Sequence, residues 1–240
     1  MPQPTSEHMN SLKCNLKRIL KAVGVGSVYN YLEERVYLKR TAVVVQKDLS
    51  SLSPLEPALE RAGVEIHRIS PSGVDFQQGN SSGRVRYRSQ ERRDKALFYL
   101  RKGYRGVALV REGEICGDIW YWGHWDSHTQ AVHPDLSWLA ISCGSQDAYG
   151  FDLYICPDNR GKDWSRLLQG AALRQMRDDG FTRALGYYAL DNLPALWVHR
   201  TLRWSEIQRV DRSRFFFLRR SRVKPSSLAS TSPERDAPPP

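Results

Sequence analysis

The order of apolar and polar positions along the chain predicts strands and helices in alternation. Residues 41–49 ("TAVVVQKDL") and 64–69 ("VEIHRI") are compact and rich in β-branched side chains, so both segments predict strands. Residues 54–63 and 90–103 have helical patterns that each stop at a glycine. Residues 71–85 are rich in glycine and proline, which predicts a loop.

The second half of the chain continues this alternation and closes with strands. Residues 106–123 predict a hairpin that turns near Glu112 and Gly113. The remaining predicted elements are a strand over 148–157, a helix over 163–179 that stops at Gly180, a strand over 183–190, a helix over 193–202, and a strand pair over 206–210 and 214–220. Helices interleaved with strands predict an α/β fold around a mixed central sheet.

The two ends of the chain differ in composition from its middle. Residues 1–9 are polar and are predicted to be disordered, and residues 10–38 hold a basic amphipathic helix and a linker. That helix either lies on an anionic membrane or packs its apolar stripe on the body of the protein. Residues 39–222 form the predicted folded domain, and residues 223–240 form a Pro/Ser-rich tail that cannot bury a core.

The bulk composition is that of a globular protein with a basic surplus. Of 240 residues, 36 are Lys or Arg and 26 are Asp or Glu, and the net charge of +10 favours an anionic partner such as nucleic acid, acidic lipid or a phosphorylated molecule. The four cysteines form no C-x-x-C pair, which predicts free thiols in a reducing compartment. No apolar run approaches the ~20 residues of a membrane-spanning helix and no secretory signal is recognised, so a cytoplasmic location is expected.

One short segment has the character of an anion-binding turn. An apolar strand pattern ends at Pro157, an Arg-Gly-Lys sequence follows, and an amphipathic helix pattern begins directly afterwards. The start of a helix presents unpaired backbone N–H groups and the positive end of the helix dipole. Gly161 lets an anion approach the backbone closely. Arg160, Lys162 and Arg166 add positive charge, so the segment predicts a phosphate-binding turn.

Residues 157–168, "PDNRGKDWSRLL", resemble the segment P-x-x-R-G-x-G-x-G-x-x-L-L of the GNAT superfamily of acyl-CoA N-acyltransferases. Downstream, "DNLPALWVHRTLRW" resembles the N-x-x-A-x-x-x-Y-x-x-x-G-F helix of the superfamily, with Asn192 and Ala195 at matching positions. The resemblance covers roughly residues 90–219. It implies a GNAT-like fold with a mixed, mostly antiparallel central sheet flanked by helices, and acetyl-CoA or another acyl-CoA as co-substrate.

The resemblance also implies where the co-substrate binds. The strand before the turn is expected to splay from its neighbour, so that pantetheine lies in the gap as a pseudo-strand. Ile155 would offer backbone groups to pantetheine, and Asn192 would lie beside the pantetheine arm. The implied pyrophosphate loop consists of Arg160, Gly161, Lys162, Asp163, Trp164 and Ser165. The implied chemistry is direct attack of an amine on the thioester, with an acid that protonates the departing thiolate.

Three features depart from the superfamily pattern. Asp163 and Ser165 replace glycines, and the Asp163 carboxylate either lies near a bound diphosphate or caps the helix by accepting backbone N–H groups. His199 replaces the acid tyrosine and is either the proton donor or a core histidine. Arg203 and Trp204 replace the Gly-Phe pair that ends the motif.

The end of the predicted hairpin and the loop after it supply candidates for the acceptor side. It is dense in aromatic residues, which either fill the core or line an acceptor pocket, and Trp122 and Trp125 are the pocket candidates. Histidines and an aspartate follow in the same loop, but their spacing matches no metal-binding motif. A polar loop without a metal is therefore expected.

Asp152 is the candidate general base, acting directly or through water, unless it is a solvated edge residue. Strict alternation along the strand places Asp152, Tyr154 and Cys156 on one face, and Phe151, Leu153 and Ile155 on the other.

The leading hypothesis is an N-acyltransferase that moves an acetyl or other short acyl group from acyl-CoA to an amine acceptor. One alternative is a GNAT-fold interaction module that has lost CoA binding at Asp163. Another is a basic nucleic-acid-binding protein, although no nucleic-acid motif is present. The identity of the acceptor and the oligomeric state stay open at this point.

Overall fold

The computed structural model describes residues 37–69, 85–124, 132–215 and 218–225. Five earlier predictions fall wholly or mostly outside these residues: the disordered start, the helix after it, the loop over residues 71–85, the pocket role of Trp125, and the tail, from residue 226 onward. No helix among the described residues is long and apolar enough to cross a membrane.

Local sequence explains where the helices begin and end. The described helices are α1 (Glu56–Ala62), α2 (Gln90–Arg101), α3 (Pro134–Leu139), α4 (Trp164–Asp178) and α5 (Leu193–Thr201). Gly63 ends α1 in the left-handed conformation, with φ of 60°, which glycine adopts without strain. Ser89 begins α2, because its hydroxyl accepts the backbone N–H of Arg92. These findings confirm four predicted helices, whereas α3 was not predicted.

The strands also follow the predicted order, with differences at the end of the chain. They are β1 (Tyr37–Asp48), β2 (Glu65–Ile69), β3 (Arg86–Tyr87), β4 (Arg105–Arg111), β5 (Glu114–Gly123), β6 (Asp147–Ile155), β7 (Arg183–Ala189), β8 (Ser205–Phe215) and β9 (Leu218–Pro225). The prediction of a strand break between residues 210 and 214 was wrong, because β8 runs through that point. β9 continues to Pro225, three residues into the segment predicted as a tail. The short strand β3 had no recognisable sequence pattern.

The tight turn between β4 and β5 was predicted correctly. Glu112 and Gly113 both have positive φ, at 54° and 74°. Two successive residues of positive φ form the turn that matches the right-handed twist of a two-residue hairpin. The hairpin brings β4 and β5 together as an antiparallel pair.

The sheet is mixed and mostly antiparallel, which confirms the predicted fold class. Its strand order in the larger of two compact units is β2-β4-β5-β6-β7-β1-β8, and β3 pairs with β5. The β2–β4, β4–β5, β5–β6 and β1–β7 pairs are antiparallel, whereas β6 and β7 are parallel. A parallel pair needs a crossover connection, and α4 provides it between β6 and β7.

Helices cover both faces of this sheet. On one face, α1 and α4 enclose a core that contains Leu168 and Leu173. On the other face, α2 and α3 cover a second core that contains Trp120 and Tyr149. α5 packs over a third cluster around Val43. Burial of these apolar side chains on both faces is the main stabilising contribution to such a layered fold.

The chain divides into two compact units, which are Ala42–Val210 with Val223–Pro240, and Met1–Thr41 with Asp211–Arg222. The larger unit contains all five described helices and strands β2 to β7. Within the smaller unit, the Thr41 hydroxyl donates a hydrogen bond of 2.7 Å to the Asp211 carboxylate.

Candidate functional site

β6 and β7 separate part of the way along their length. Their parallel pairing covers Asp147 to Tyr149 on β6 and Arg183 to Leu185 on β7, and no further pair forms in this described region. β6 nevertheless continues to Ile155, and β7 continues to Ala189. We call the gap between residues 150–155 of β6 and residues 186–189 of β7 the slot. The backbone groups of β6 and β7 that face the slot have no strand partner among the described residues, so an extended ligand can bond to them.

A β-bulge interrupts β6 at the slot. Phe151 pairs with Trp120, but Tyr154 pairs with Asp118, so two residues of β6 oppose one residue of β5. Asp152, the first of the two, has a positive φ of 50°.

The bulge makes the predicted strict alternation wrong. The side chain of Phe151 belongs to the core under α2 and α3. That of Ile155 belongs to the core under α4. The two residues therefore face opposite sides of the sheet, because the extra residue in the bulge reverses the pattern.

The turn after β6 forms a concave run of backbone N–H groups. A short 3-10 turn, Pro157–Asn159, ends the strand, and Gly161 and Asp163 then adopt positive φ of 80° and 62°. None of the N–H groups of residues 161–165 has a hydrogen-bond acceptor within the described part of the chain. Successive N–H groups in such a conformation, at the positive end of α4, form an anion-binding nest.

The Asp163 side chain does not cap α4. Its carboxylate makes no bond to the first N–H groups of the helix. It instead accepts a hydrogen bond of 2.7 Å from Nε of Arg166, one turn along the same helix. Of the two alternatives for this residue, capping is therefore excluded, and the nest N–H groups stay available.

The other residues of the turn are arranged around the nest. Arg160 donates from Nε to the Ile155 carbonyl at 3.3 Å, which ties the turn to the end of β6. Lys162 lies with Nζ 5.3 Å from the centre of the Trp164 ring. Trp164 itself is buried in the core under α4, so it anchors the turn. Ser165 is half-buried in the first turn of the helix.

Asn192 begins α5 beside the open end of β7. Its Oδ1 accepts the backbone N–H of Ala195 at 3.1 Å, which caps the helix. Its side-chain NH₂ group has no partner among the described residues and can still donate to a ligand.

His199 is buried between two hydrogen bonds. Nδ1 donates to the Ala195 carbonyl at 2.7 Å, so in the neutral ring Nε2 is an acceptor, 3.2 Å from the amide nitrogen of Gln169. Burial lowers the pKa of His199, although the bond to Ala195 opposes this. Its ring also lies 5.0 Å from Tyr188 and 5.2 Å from Trp204. These contacts favour the neutral form of a core histidine.

Asp152 lies in a cluster of donors from α2. Its Oδ2 accepts from Nη1 of Arg92 at 2.8 Å and from the Tyr99 hydroxyl at 3.0 Å, and Lys95 Nζ is 3.0 Å away. Its Oδ1 has no hydrogen-bond partner in the described structure. Arg92 and Lys95 thus place two positive charges beside one carboxylate oxygen.

Trp122 lies in the core rather than at the surface. It is only 2% exposed, and it pairs with Tyr149 where β6 and β7 are still joined. This position leaves little of Trp122 for contact with an acceptor. The described residues contain no group of three or more side chains that could hold a metal ion.

Sequence reasoning missed Arg92 and Gln169. Arg92 is only 7% exposed, although it lies among other charged residues of α2. Gln169 is also 7% exposed, and its Oε1 has no partner in the described structure. Neither residue belongs to a recognisable motif, so no signal in the sequence identifies its contacts.

Comparison with known proteins identifies the fold. No protein-family model matches the chain, and no curated protein matches it. Among solved structures, a GCN5-related glucosamine N-acetyltransferase region of a fungal multi-domain GH3 beta-N-acetylglucosaminidase is 12% identical, with a TM-score of 0.53, over 80% of this chain and 23% of that one. This likeness shows that the chain has the GNAT fold.

Two further solved structures match at lower TM-scores. A Drosophila protein is 13% identical, with a TM-score of 0.41, over 81% of this chain and 54% of that one. A tandem GNAT protein from the clavulanic acid biosynthesis pathway is 15% identical, with a TM-score of 0.46, over 78% of this chain and 55% of that one. The chain thus spans 54%, 23% and 55% of the first three matched structures.

Proposed function

We propose that the chain is an N-acyltransferase that moves an acetyl or other short acyl group from acyl-CoA to an amine. The observation that carries this proposal is the slot, which opens along β6 and leads directly to the nest of residues 161–165. An extended arm that ends in a diphosphate has the shape and charge to occupy both. Pantetheine joined to the diphosphate of CoA is such a ligand.

The chemistry of the nest supports a diphosphate in particular. Five N–H groups without an acceptor among the described residues, together with the α4 dipole, attract negative charge without needing to rearrange. Arg160 and Lys162 are exposed beside them and can add charge-assisted bonds. The Asp163 carboxylate is held by Arg166, so it does not occupy the nest.

Two residues of the proposed site would contact the pantetheine arm. The backbone of Ile155 lies at the end of the slot, with its carbonyl now bonded to Arg160. Asn192 can donate from its free amide nitrogen while Oδ1 continues to cap α5. These groups would bind the amides of the arm as a neighbouring strand would.

In the proposed reaction the nitrogen of the acceptor attacks the thioester carbonyl carbon. The new C–N bond forms, the C–S bond breaks, and the sulfur leaves with the electron pair of that bond. The amine loses one proton and the thiolate gains one, so the products are an amide and CoA. Binding both reactants in one geometry supplies much of the rate enhancement in such a transfer.

Asp152 and His199 are the side chains proposed for proton transfer. Asp152 can take a proton on its open Oδ1, directly or through water, but its paired cations favour a neutral incoming amine. Both ring nitrogens of His199 are in hydrogen bonds, so His199 can act as the acid only if Gln169 moves away and leaves a protonated Nε2 to the thiolate. The present contacts favour a structural role for His199.

Calorimetric titration with acetyl-CoA and CoA, at low and moderate salt, tests this function. We expect both ligands to bind more weakly at moderate salt, since the diphosphate interacts with charged groups. Arg160→Ala should weaken binding by about tenfold to a hundredfold, because a bond to a charged group contributes about 1.5–3 kcal/mol. Arg177→Ala is the matched control, because Arg177 is exposed in the last turn of α4.

Absence of binding by the folded protein would overturn the proposal. In that case the alternative of a GNAT-fold interaction module would replace it. Binding that Arg160→Ala and Arg177→Ala weaken equally would show general charge attraction and remove the nest from the site.

A further inference from the structure

We propose that Arg92 is a positioning residue for the slot, because it holds the β6 bulge in the shape that keeps β6 apart from β7. This inference rests on the proposed function, since it concerns the same slot. Arg92 lies on α2 and belongs to no motif of the proposed site. Its contacts, however, surround the bulge.

The bulge needs such support because of its first residue. Asp152 has a φ of 50°, in the left-handed region that glycine occupies freely and other residues occupy under strain. Strained backbone persists only where the surrounding structure fixes it. At Asp152 the fixing contacts come from the side chains of α2.

Arg92 contacts both the side chain and the backbone of Asp152. Nη1 donates to Oδ2 at 2.8 Å, and Nη2 donates to the backbone carbonyl at 3.1 Å. The guanidinium also lies over the ring of Tyr154, 4.7 Å from its centre. One rigid group therefore contacts the first residue of the bulge and the residue that directly follows the bulge.

The other side of Arg92 is fixed to the neighbouring strand. Its Nε donates to the Asp118 carboxylate at 2.9 Å, and Nη2 bonds to the same group. Asp118 is completely buried, and its second oxygen accepts from the Tyr87 hydroxyl at 2.6 Å. Asp118 is also the pairing partner of Tyr154 across β5 and β6.

Arg92 thus joins the two strands across the irregular step between them. A bulge bends its strand and increases the local twist, and this bulge begins three residues after Tyr149, the last residue of β6 that pairs with β7. A planar guanidinium presents five donors in a fixed fork, so it can bond to Asp118 and Asp152 together. A lysine ammonium keeps the charge but cannot reproduce that fork.

The test compares Arg92→Lys with Arg105→Lys in the full chain. Arg105 donates to the buried Asp179 carboxylate at 2.8 Å, so its replacement also disturbs a buried ion pair, away from the bulge. We expect Arg92→Lys to weaken CoA binding by about tenfold, which corresponds to the loss of about one backbone hydrogen bond between the slot and the pantetheine arm. Amide hydrogen exchange should accelerate at residues 152–155, and Arg105→Lys should change neither quantity.

A rescue variant separates positioning from general stability. Asp152→Gly removes the strain at the bulge, because glycine adopts this φ freely. Added to Arg92→Lys, it should restore CoA affinity to within about threefold of the wild type. A merely structural role of Arg92 predicts no such recovery.

Exchange and affinity distinguish the two possible failures. If the wild type binds no CoA, the proposed function fails, while faster exchange at residues 152–155 in Arg92→Lys still supports the positioning role of Arg92. If Arg92→Lys matches Arg105→Lys in both CoA affinity and hydrogen exchange, that positioning role is wrong. If Arg92→Lys does not fold, Asp152→Asn removes the ionic part of the bond to Arg92, and unchanged exchange at residues 152–155 in that variant overturns the inference.

Discussion

The Asp163 carboxylate bonds to Arg166 at 2.7 Å, and it therefore leaves the start of α4 uncapped. An aspartate in an anion-binding turn could occupy the backbone N–H groups that the anion needs, and the bond to Arg166 prevents this. The carboxylate points along the helix, and the backbone N–H groups beside it have no acceptor in the described part of the chain.

Replacing Asp163 by glycine should strengthen CoA binding by about threefold to tenfold, because one unit charge near the diphosphate contributes about 1 kcal/mol in a solvated site. Glycine also accepts the φ of 62° without strain. Calorimetry measures the affinity, with Asp163→Asn as the control for charge alone. Weaker binding in both variants would instead mean that the bond to Arg166 orders the turn.

His199→Phe should lower stability more than turnover. It leaves the buried Gln169 amide without a partner, which costs about 1–3 kcal/mol of unfolding free energy. Adding Gln169→Met should recover part of this loss, because both polar partners are then replaced by apolar groups. Chemical denaturation and steady-state kinetics measure the two effects. A large loss of kcat with unchanged stability would make His199 the acid.

The protein should also lose stability at acidic pH because of its buried histidines. Burial lowers the pKa of both His199 and His133 below the ordinary 6.5. The unfolded chain then binds more protons than the folded chain, so stability falls as the pH drops below about 7.5. Each histidine contributes at most about 1.4 kcal/mol per pH unit. Denaturation of wild type and His199→Phe between pH 7.5 and 5.5 should show a shallower slope for the variant.

Gly117→Ala should disturb the C-terminal end of β6, because Gly117 on β5 pairs with Ile155 there. A Cβ at Gly117 would lie 2.6 Å from Cδ1 of Ile155 and 2.7 Å from the Tyr154 carbonyl oxygen, which belongs to the backbone. We expect a loss of about 1–3 kcal/mol in unfolding free energy and weaker CoA binding. Gly144→Ala is the control, since a Cβ there meets only the Asp147 carboxylate at 3.4 Å. Normal CoA binding in a destabilised Gly117→Ala protein would show that the slot tolerates this shift.

The sequence predicted those parts of the fold that depend on local pattern. Such parts are the helix ends at glycines, the Glu112–Gly113 turn and the strand-to-helix turn at Gly161. Each results from residues close together in the chain. The bulge at Asp152 depends instead on pairing with β5 and on Arg92, so alternation along β6 could not reveal it. The same limit applies to Gln169, whose contact with His199 joins two helices.

The position of β1 has a consequence for how the chain reaches this fold. β1 pairs with β7, and Val45 lies opposite Gly186, although most of the sheet lies between them in sequence. During synthesis β1 therefore emerges long before its partner, as an apolar edge that could bind another chain. Closing so large a loop costs chain entropy before the β1–β7 hydrogen bonds form. We therefore expect β1 to dock slowly, after the β4–β6 meander has formed. The newly synthesised chain would thus contain most of its described sheet before β1, the first described strand, pairs with β7.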